Sequence, residues 1–165
     1  MKKFELTSET KINIFGKKLF RIKALVSFGA VKTGETGGWV EKEENVNQSG
    51  DAWVFGNAEV FGNARVSGDA EVFGNARVSG NARVSGNAEV FGNADYTTIH
   101  GFGTQFRTTT FFRCKDKQVK VSCGCFYGTI PEFREQVKNT RDGKIAEEYL
   151  MIADLMEKHF AEEAK

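Results

Sequence analysis

The residues best equipped for chemistry lie between Ile99 and Phe126. His100 precedes Gly101-Phe102-Gly103, and Arg107, Thr108-Thr109-Thr110, Phe112 and Arg113 follow. Between Tyr96 and Pro131 five Lys+Arg face one Asp, a local charge of +4 in a chain whose formal total is +1. A Gly-x-Gly loop exposes backbone N–H groups, Arg supplies charge-assisted bonds to phosphate, and Thr hydroxyls add orientation. The set suits a small anion, and Phe102 or Phe112 could stack on a base. The competing reading is a solvated sheet, where Thr-rich strands carrying Arg are common. His100, Phe102, Arg107, Thr108, Thr109, Thr110, Phe112 and Arg113 are therefore the candidate ligand-binding residues, and none is assigned as catalytic.

Cys114, Cys123 and Cys125 offer a second chemistry. Cys-x-Cys places both thiols on one strand face and is not the usual Cys-x2–4-Cys chelate, so no metal is expected with His100. Small buried thiols are the plainer reading, and a nucleophilic Cys with His100 as base is the sharper one. An odd number of cysteines in one short region is a poor disulfide framework. No apolar run is long enough to cross a membrane, and Met1-Lys2-Lys3-Phe4-Glu5-Leu6 does not begin a signal peptide. The expected compartment is the cytoplasm.

The elements that must position these groups are set by an unusual composition. The 165 residues include 18 Gly, 15 Phe and a single Pro, with 23 Lys+Arg against 22 Asp+Glu. Near-neutral charge argues against a nucleic-acid polymer as partner. Fifteen Phe provide apolar surface that a disordered chain would lack.

From Val54 to Asp95 the chain is seven uninterrupted hexads, each with Val first, Gly-Asn or Gly-Asp third and fourth, and Ala fifth. Ala-x-Val-[Phe/Ser] alternates inward and outward as a short strand does. Gly followed by Asn or Asp then turns the chain, because both tolerate the corner's backbone. Three such corners of roughly 120° would close a coil, and coils would stack about 4.8 Å apart as parallel strands.

This pattern resembles the hexapeptide-repeat family, whose fold is the left-handed parallel β-helix. The handedness comes from that resemblance, since general crossover rules favour the opposite hand. Val26-Ser27-Phe28-Gly29-Ala30 and Gly50-Asp51-Ala52 read as a degenerate earlier coil, with insertions between Val31 and Ser49. Enzymes of the resembled family are mostly acyltransferases that use coenzyme A and a loop His, or zinc carbonic anhydrases with three His ligands. Here the hexads hold no His, and the chain has only His100 and His159. The whole chain also resembles a family spread through phages, prophages and gut bacteria. Its members join Gly-[Asn/Asp]-Ala-x-Val repeats to a tail like Thr108 to Arg113, Val121 to Phe126 and Gly128-Thr129. That resemblance implies shared ancestry rather than a particular activity. By analogy with small phage-type proteins, it suggests a sponge for nucleotide immune signals.

Sorting outward positions by face gives three walls. Trp53, Phe55, Phe73 and Phe91 line one, and a contiguous aromatic patch of this kind marks an interface, here expected between subunits or with the C-terminal helices. A stacking platform for sugars or bases is the alternative. Glu59, Arg77 and Asp95 form a ladder of alternating sign on the second. Arg65, Ser67, Arg83 and Ser85 make the third, read as solvated or weakly basic.

Residues 1–25 alternate as a Lys-rich hairpin that would cap the stack and blunt its edge. After Asp95, strands are expected over Gln105 to Cys114 and Gln118 to Cys123. A Thr129-Ile130-Pro131-Glu132 capping box opens a helix to about Asn139, and a second helix runs from Lys144 to about Glu163. The expected protein is thus mainly β: an N-terminal cap (1–25), a parallel β-helix (26–95) and a C-terminal α+β appendage of ββαα order (96–165). It is expected to form a homo-oligomer, a trimer or a multiple of it. It would sequester a small anionic, nucleotide-derived ligand without catalysis or cofactor. A hexapeptide acyltransferase and a ligand-free scaffold are the alternatives.

Overall fold

The computed structural model describes residues 1–161. It is mainly β with two C-terminal helices. Strands β1 (Phe4–Ile12), β2 (Lys18–Ala24) and β3 (Thr36–Val40) open the chain. Seven two-residue strands follow: β4 (Trp53–Val54), β5 (Glu59–Val60), β6 (Arg65–Val66), β7 (Glu71–Val72), β8 (Arg77–Val78), β9 (Arg83–Val84) and β10 (Glu89–Val90). Strands β11 (Tyr96–Phe102), β12 (Arg107–Arg113), β13 (Val119–Cys123) and β14 (Phe126–Thr129) lead into helices α1 (Ile130–Thr140) and α2 (Gly143–Phe160).

The hexads stack in parallel with an offset of three repeats. Val54 pairs with Val72, and Val72 with Val90. Val60 pairs with Val78, and Val66 with Val84, making three separate parallel ladders. Every hexad Val is fully buried, and so is the Ala column from Ala58 to Ala88. Burial of each Val contributes roughly 1.5 kcal/mol or more, so a narrow core suffices because it is continuous. At the corners Gly62 and Gly80 lie one above the other at φ 67° and 66°, the left-handed region where a Cβ is disfavoured.

The segment from Val31 to Ser49 is not an insertion outside the repeat. Trp39 and Val40 pair with Glu59 and Val60, and Val46 bridges Val66, so this segment joins two of the three parallel ladders, and Trp53 and Val54 join the third. The pattern is masked because these pairs are offset by 20 residues rather than 18, a two-residue excess placed before Trp53. Buried Asn45 donates to Gly62 O and Ala64 O at 3.2 and 2.9 Å, tying the irregular 3-10 turn (Glu43–Asn45) to the rung above.

Both ends of the Val–Ala column are sealed by the flanks. β1 and β2 pair antiparallel, and β2 joins β3, extending one ladder into a five-stranded sheet. Phe4, Ile22 and Ala24 enter the column's core at that end. At the other, Ala88 bridges Cys114, and Phe112 and Cys114 enter the same core.

The C-terminal region has four strands rather than two, in the antiparallel order β11-β12-β13-β14. The Gly-x-Gly stretch read as a loop starts inside β11, where a bulge between His100 and Phe102 absorbs Gly101. Adjacent residues of β12 serve two cores. Phe112 faces the repeat stack, whereas Phe111 packs with Val121, Phe133, Tyr149 and Met156 under the helices. The capping box is present in part: Thr129 Oγ1 accepts from Glu132 N–H at 3.3 Å, with Pro131 in the first turn. Helix α2 ends at Phe160, and Glu162 and Glu163 of the expected helix lie outside the described residues.

Candidate functional site

The eight candidate ligand-binding residues do not converge. His100, Arg107 and Thr108 line a cleft of about 710 Å³. Thr109, Thr110 and Phe112 are buried in structural posts. The Thr109 hydroxyl donates to Cys123 Sγ at 3.1 Å. Thr110 Oγ1 accepts from Arg83 N–H at 3.0 Å, satisfying a donor on the last rung that has no further strand to pair with. Arg113 pairs with Asp95 at 3.2 Å and donates to Phe160 O at 2.9 Å, which fastens the end of α2. Phe102 packs against the helical core.

The cleft instead joins parts of the chain far apart in sequence. Its floor is the third wall of the repeat stack, with Asn63, Arg65, Asn81 and Arg83. One side is Lys42 and Glu44 from the 3-10 turn region. The overhanging side is the edge of the C-terminal sheet: His100, Phe106, Arg107 and Thr108 from the β11–β12 end, with Ser122, Gly124 and Cys125 from the β13–β14 end. His100 Nδ1 and Thr108 Oγ1 are 2.8 Å apart across the paired strands. A Cβ on Gly124 would collide with the Arg107 guanidinium, so the absent side chain lets Arg107 lie over that turn.

Charge is the dominant property of this cleft. Lys42, Arg65, Arg83 and Arg107 line it with one carboxylate, Glu44. Arg65 and Arg83 are direct partners on adjacent parallel strands, and like charges so placed repel. Among the described residues neither Arg65, Arg83 nor Arg107 has a carboxylate within ion-pair distance. Lys42 Nζ donates to the amide oxygen of Asn63 at 3.1 Å and has no carboxylate partner among the described residues. Phe106 stands at the rim, 66% exposed and at φ 50°, a conformation that is strained for an aromatic residue.

A second cleft of about 520 Å³ adjoins the first along the same wall. It shares Glu44, Arg65, Arg83 and Ser122 and adds, among others, Glu43, Asn47, Gln48, Ser67 and Ser85, with Glu43 ion-paired to Lys2 at 2.9 Å. Lys42, Arg65, Arg83, Phe106 and Ser122 were outside the sequence-based candidate set. The available signal was the recurrence of Arg at one outward slot exactly three hexads apart with no acid between them on that wall.

The thiols are graded by depth. Cys114 is buried, and desolvation pushes its pKa up to about 11, with Asp116 adding to the rise. Cys123 is half-buried and Cys125 exposed at the cleft mouth. No cluster of three or more potential metal ligands occurs among the described residues.

The aromatic wall differs from expectation at one end. Trp53 is fully buried beneath Phe4 and Phe28, whose rings meet it edge-on at 5.8 and 5.2 Å, so its own chain covers it. Phe55, Phe73 and Phe91 stack at 4.5 and 4.8 Å, and Phe91 is left exposed. No helix among the described residues is long and apolar enough to cross a membrane. No protein-family model matches this chain, and neither does any curated protein.

Proposed function

We propose that the protein binds a small phosphate-bearing, nucleotide-derived anion in the cleft between the Arg65/Arg83 wall and the C-terminal sheet, sequestering it without transforming it. The observation that carries this reading is the pair of arginines facing each other across one rung, neither of them ion-paired to a carboxylate among the described residues although Glu44 lines the same cleft. Repulsion between them is relieved when an anion sits across both guanidinium groups, each offering several fixed donors. Lys42 and Arg107 supply further positive charge from opposite sides, and Phe106 offers a ring for a base.

The fold reading that accompanies this is a left-handed β-helix formed by the three parallel ladders, its hand resting on the hexapeptide resemblance. The exposed end of the Phe55-Phe73-Phe91 stack favours assembly of several copies through that wall, either with the ligand site or as a scaffold without one.

A thermal-shift series tests the site directly. It compares ADP, inorganic tripolyphosphate and acetyl-coenzyme A on the wild-type protein and on Arg83→Ser. Ser occurs naturally elsewhere on this wall and leaves the strand intact. A ligand at a hundred times its Kd stabilises by about 2.7 kcal/mol. The expected result is a shift with ADP and tripolyphosphate that falls at least tenfold in apparent affinity in Arg83→Ser. A flat response to both overturns the anion reading. A response confined to acetyl-coenzyme A replaces it with acyl-group chemistry.

A further inference from the structure

The two clefts on the third wall share their centre, and that centre is the arginine pair. Toward the C-terminal sheet lie Phe106, His100 and Arg107. In the other direction lie Asn47, Ser67 and Ser85. The hexad explains why the second cleft is open. Its second slot is Phe at Phe55, Phe61, Phe73 and Phe91 but Ser at Ser67 and Ser85 on this wall. Phe at those two positions would fill the space that the serines leave.

Drug-sized ligands occupy pockets of ~300–1,000 Å³, so the first cleft of about 710 Å³ is sufficient for one nucleotide arm. The adjoining cleft, which shares Glu44, Arg65, Arg83 and Ser122 with the first, lengthens the groove past the arginine pair along Ser67 and Ser85. We propose that the groove is built for a two-armed ligand, two nucleoside groups joined through phosphates, with the phosphates over Arg65 and Arg83. One base stacks on Phe106, and the second arm lies over Ser67 and Ser85. Glu44, the carboxylate common to both clefts, accepts hydrogen bonds from ribose hydroxyls. This inference rests on the anion reading and names its ligand class.

The test is isothermal titration of the full chain with ADP, GDP, diadenosine triphosphate and diguanosine triphosphate. The wild-type protein and Ser85→Phe are compared. The repeat itself accepts Phe in this slot, so the variant is expected to fold, which its thermal midpoint checks. The expected result is that a dinucleoside triphosphate binds at least tenfold more tightly than its mononucleotide. In Ser85→Phe that advantage disappears while mononucleotide binding is unchanged. Equal affinity for the one-armed and two-armed ligands in the wild-type protein overturns the two-armed proposal and leaves the anion site standing. So does a two-armed advantage that survives Ser85→Phe. Silence from all four ligands overturns both.

Discussion

Glu59 and Arg77 face each other across one rung step of the repeat, and so do Arg65 and Arg83 on the neighbouring wall. The backbone setting is the same, but the charge arrangement is opposite. Glu59 is almost wholly buried and is satisfied by Arg77 at 3.4 Å, Lys11 at 2.9 Å and the Asn13 amide at 3.3 Å. The N-terminal hairpin supplies the last two, and the Phe15 ring at its tip lies 5.7 Å from Phe61. That wall is closed by the protein's own chain. Among the described residues no carboxylate ion-pairs with Arg65 or Arg83, although Glu44 lines the same cleft and the C-terminal sheet borders it. The fold completes one ladder internally and leaves its twin with like charges exposed, and it is on the second that the proposed binding rests.

The largest effect should come from breaking the completed ladder. Glu59→Ala leaves Arg77, Lys11 and Asn13 without their common acceptor. Loss of one partner from a buried network costs about 3 kcal/mol, read as a lowered urea midpoint at unchanged slope. A cost near zero would mean that the hairpin, not the charge network, holds this wall.

The aromatic wall comes next. Phe73→Ser removes two stacked ring pairs, each worth ~0.5–1.5 kcal/mol, and should cost about 2 kcal/mol by chemical denaturation. Size-exclusion chromatography of Phe73→Glu sharpens the reading: dissociation to a monomer is expected if copies assemble through this wall.

The third test converts one ladder into the other. Arg83→Glu gives Arg65 an acidic cross-strand partner and should raise stability by about 0.5 kcal/mol at low salt, with the gain fading as salt is added. The same variant should lose the anion-induced thermal shift. A destabilised Arg83→Glu would show that the arginine pair is not a site of unrelieved repulsion.

A pH series provides a control, because Lys3 and Cys114 lie at the ends of the stack, outside both charge ladders. Lys3 Nζ donates to Ala52 O and Gly50 O, and burial lowers its pKa to about 8, opposed by Asp51. A lowered ammonium pKa makes the unfolded chain hold more protons than the folded one above that value, so stability rises from pH 8 toward 10.5. Cys114 acts in the opposite sense. Its raised pKa means the unfolded thiol ionises first, so stability falls from about pH 9 to 11. Denaturation across this range should lose its rising limb in Lys3→Met and its falling limb in Cys114→Ala. The Glu59 and Arg83 phenotypes should remain unchanged in either background.

The hexads from Val54 to Asp95 were readable because each residue meets nearly the same surroundings in every repeat, so local pattern and tertiary environment coincide. The Trp39–Trp53 rung was hidden by its two-residue excess, although Trp39-Val40 and Trp53-Val54 each place Val after an outward residue as the hexads do. Strands β11 and β14 are obscured in the sequence because Gly101 and Gly128 lie within them and Gly124 turns the chain just before β14. Thr108-Thr109-Thr110 looked like one functional unit, yet strand alternation and burial on both sides of β12 assign its members different tasks. One Thr faces the cleft, one bonds Cys123 and one caps the last rung.

The amino-acid sequence by itself determined the parallel repeat core, its eighteen-residue period and the charge carried by each outward column. Those properties follow from short-range alternation and from corners of fixed size. Only the tertiary structure decided which column is covered and which is open. That depends on where the hairpin and the C-terminal sheet come to rest, through contacts distant in the chain such as Lys11 and Asn13 with Glu59, and Thr110 with Arg83. Lys42, Arg83 and Arg107, far apart in the chain, line one cleft only in the folded structure.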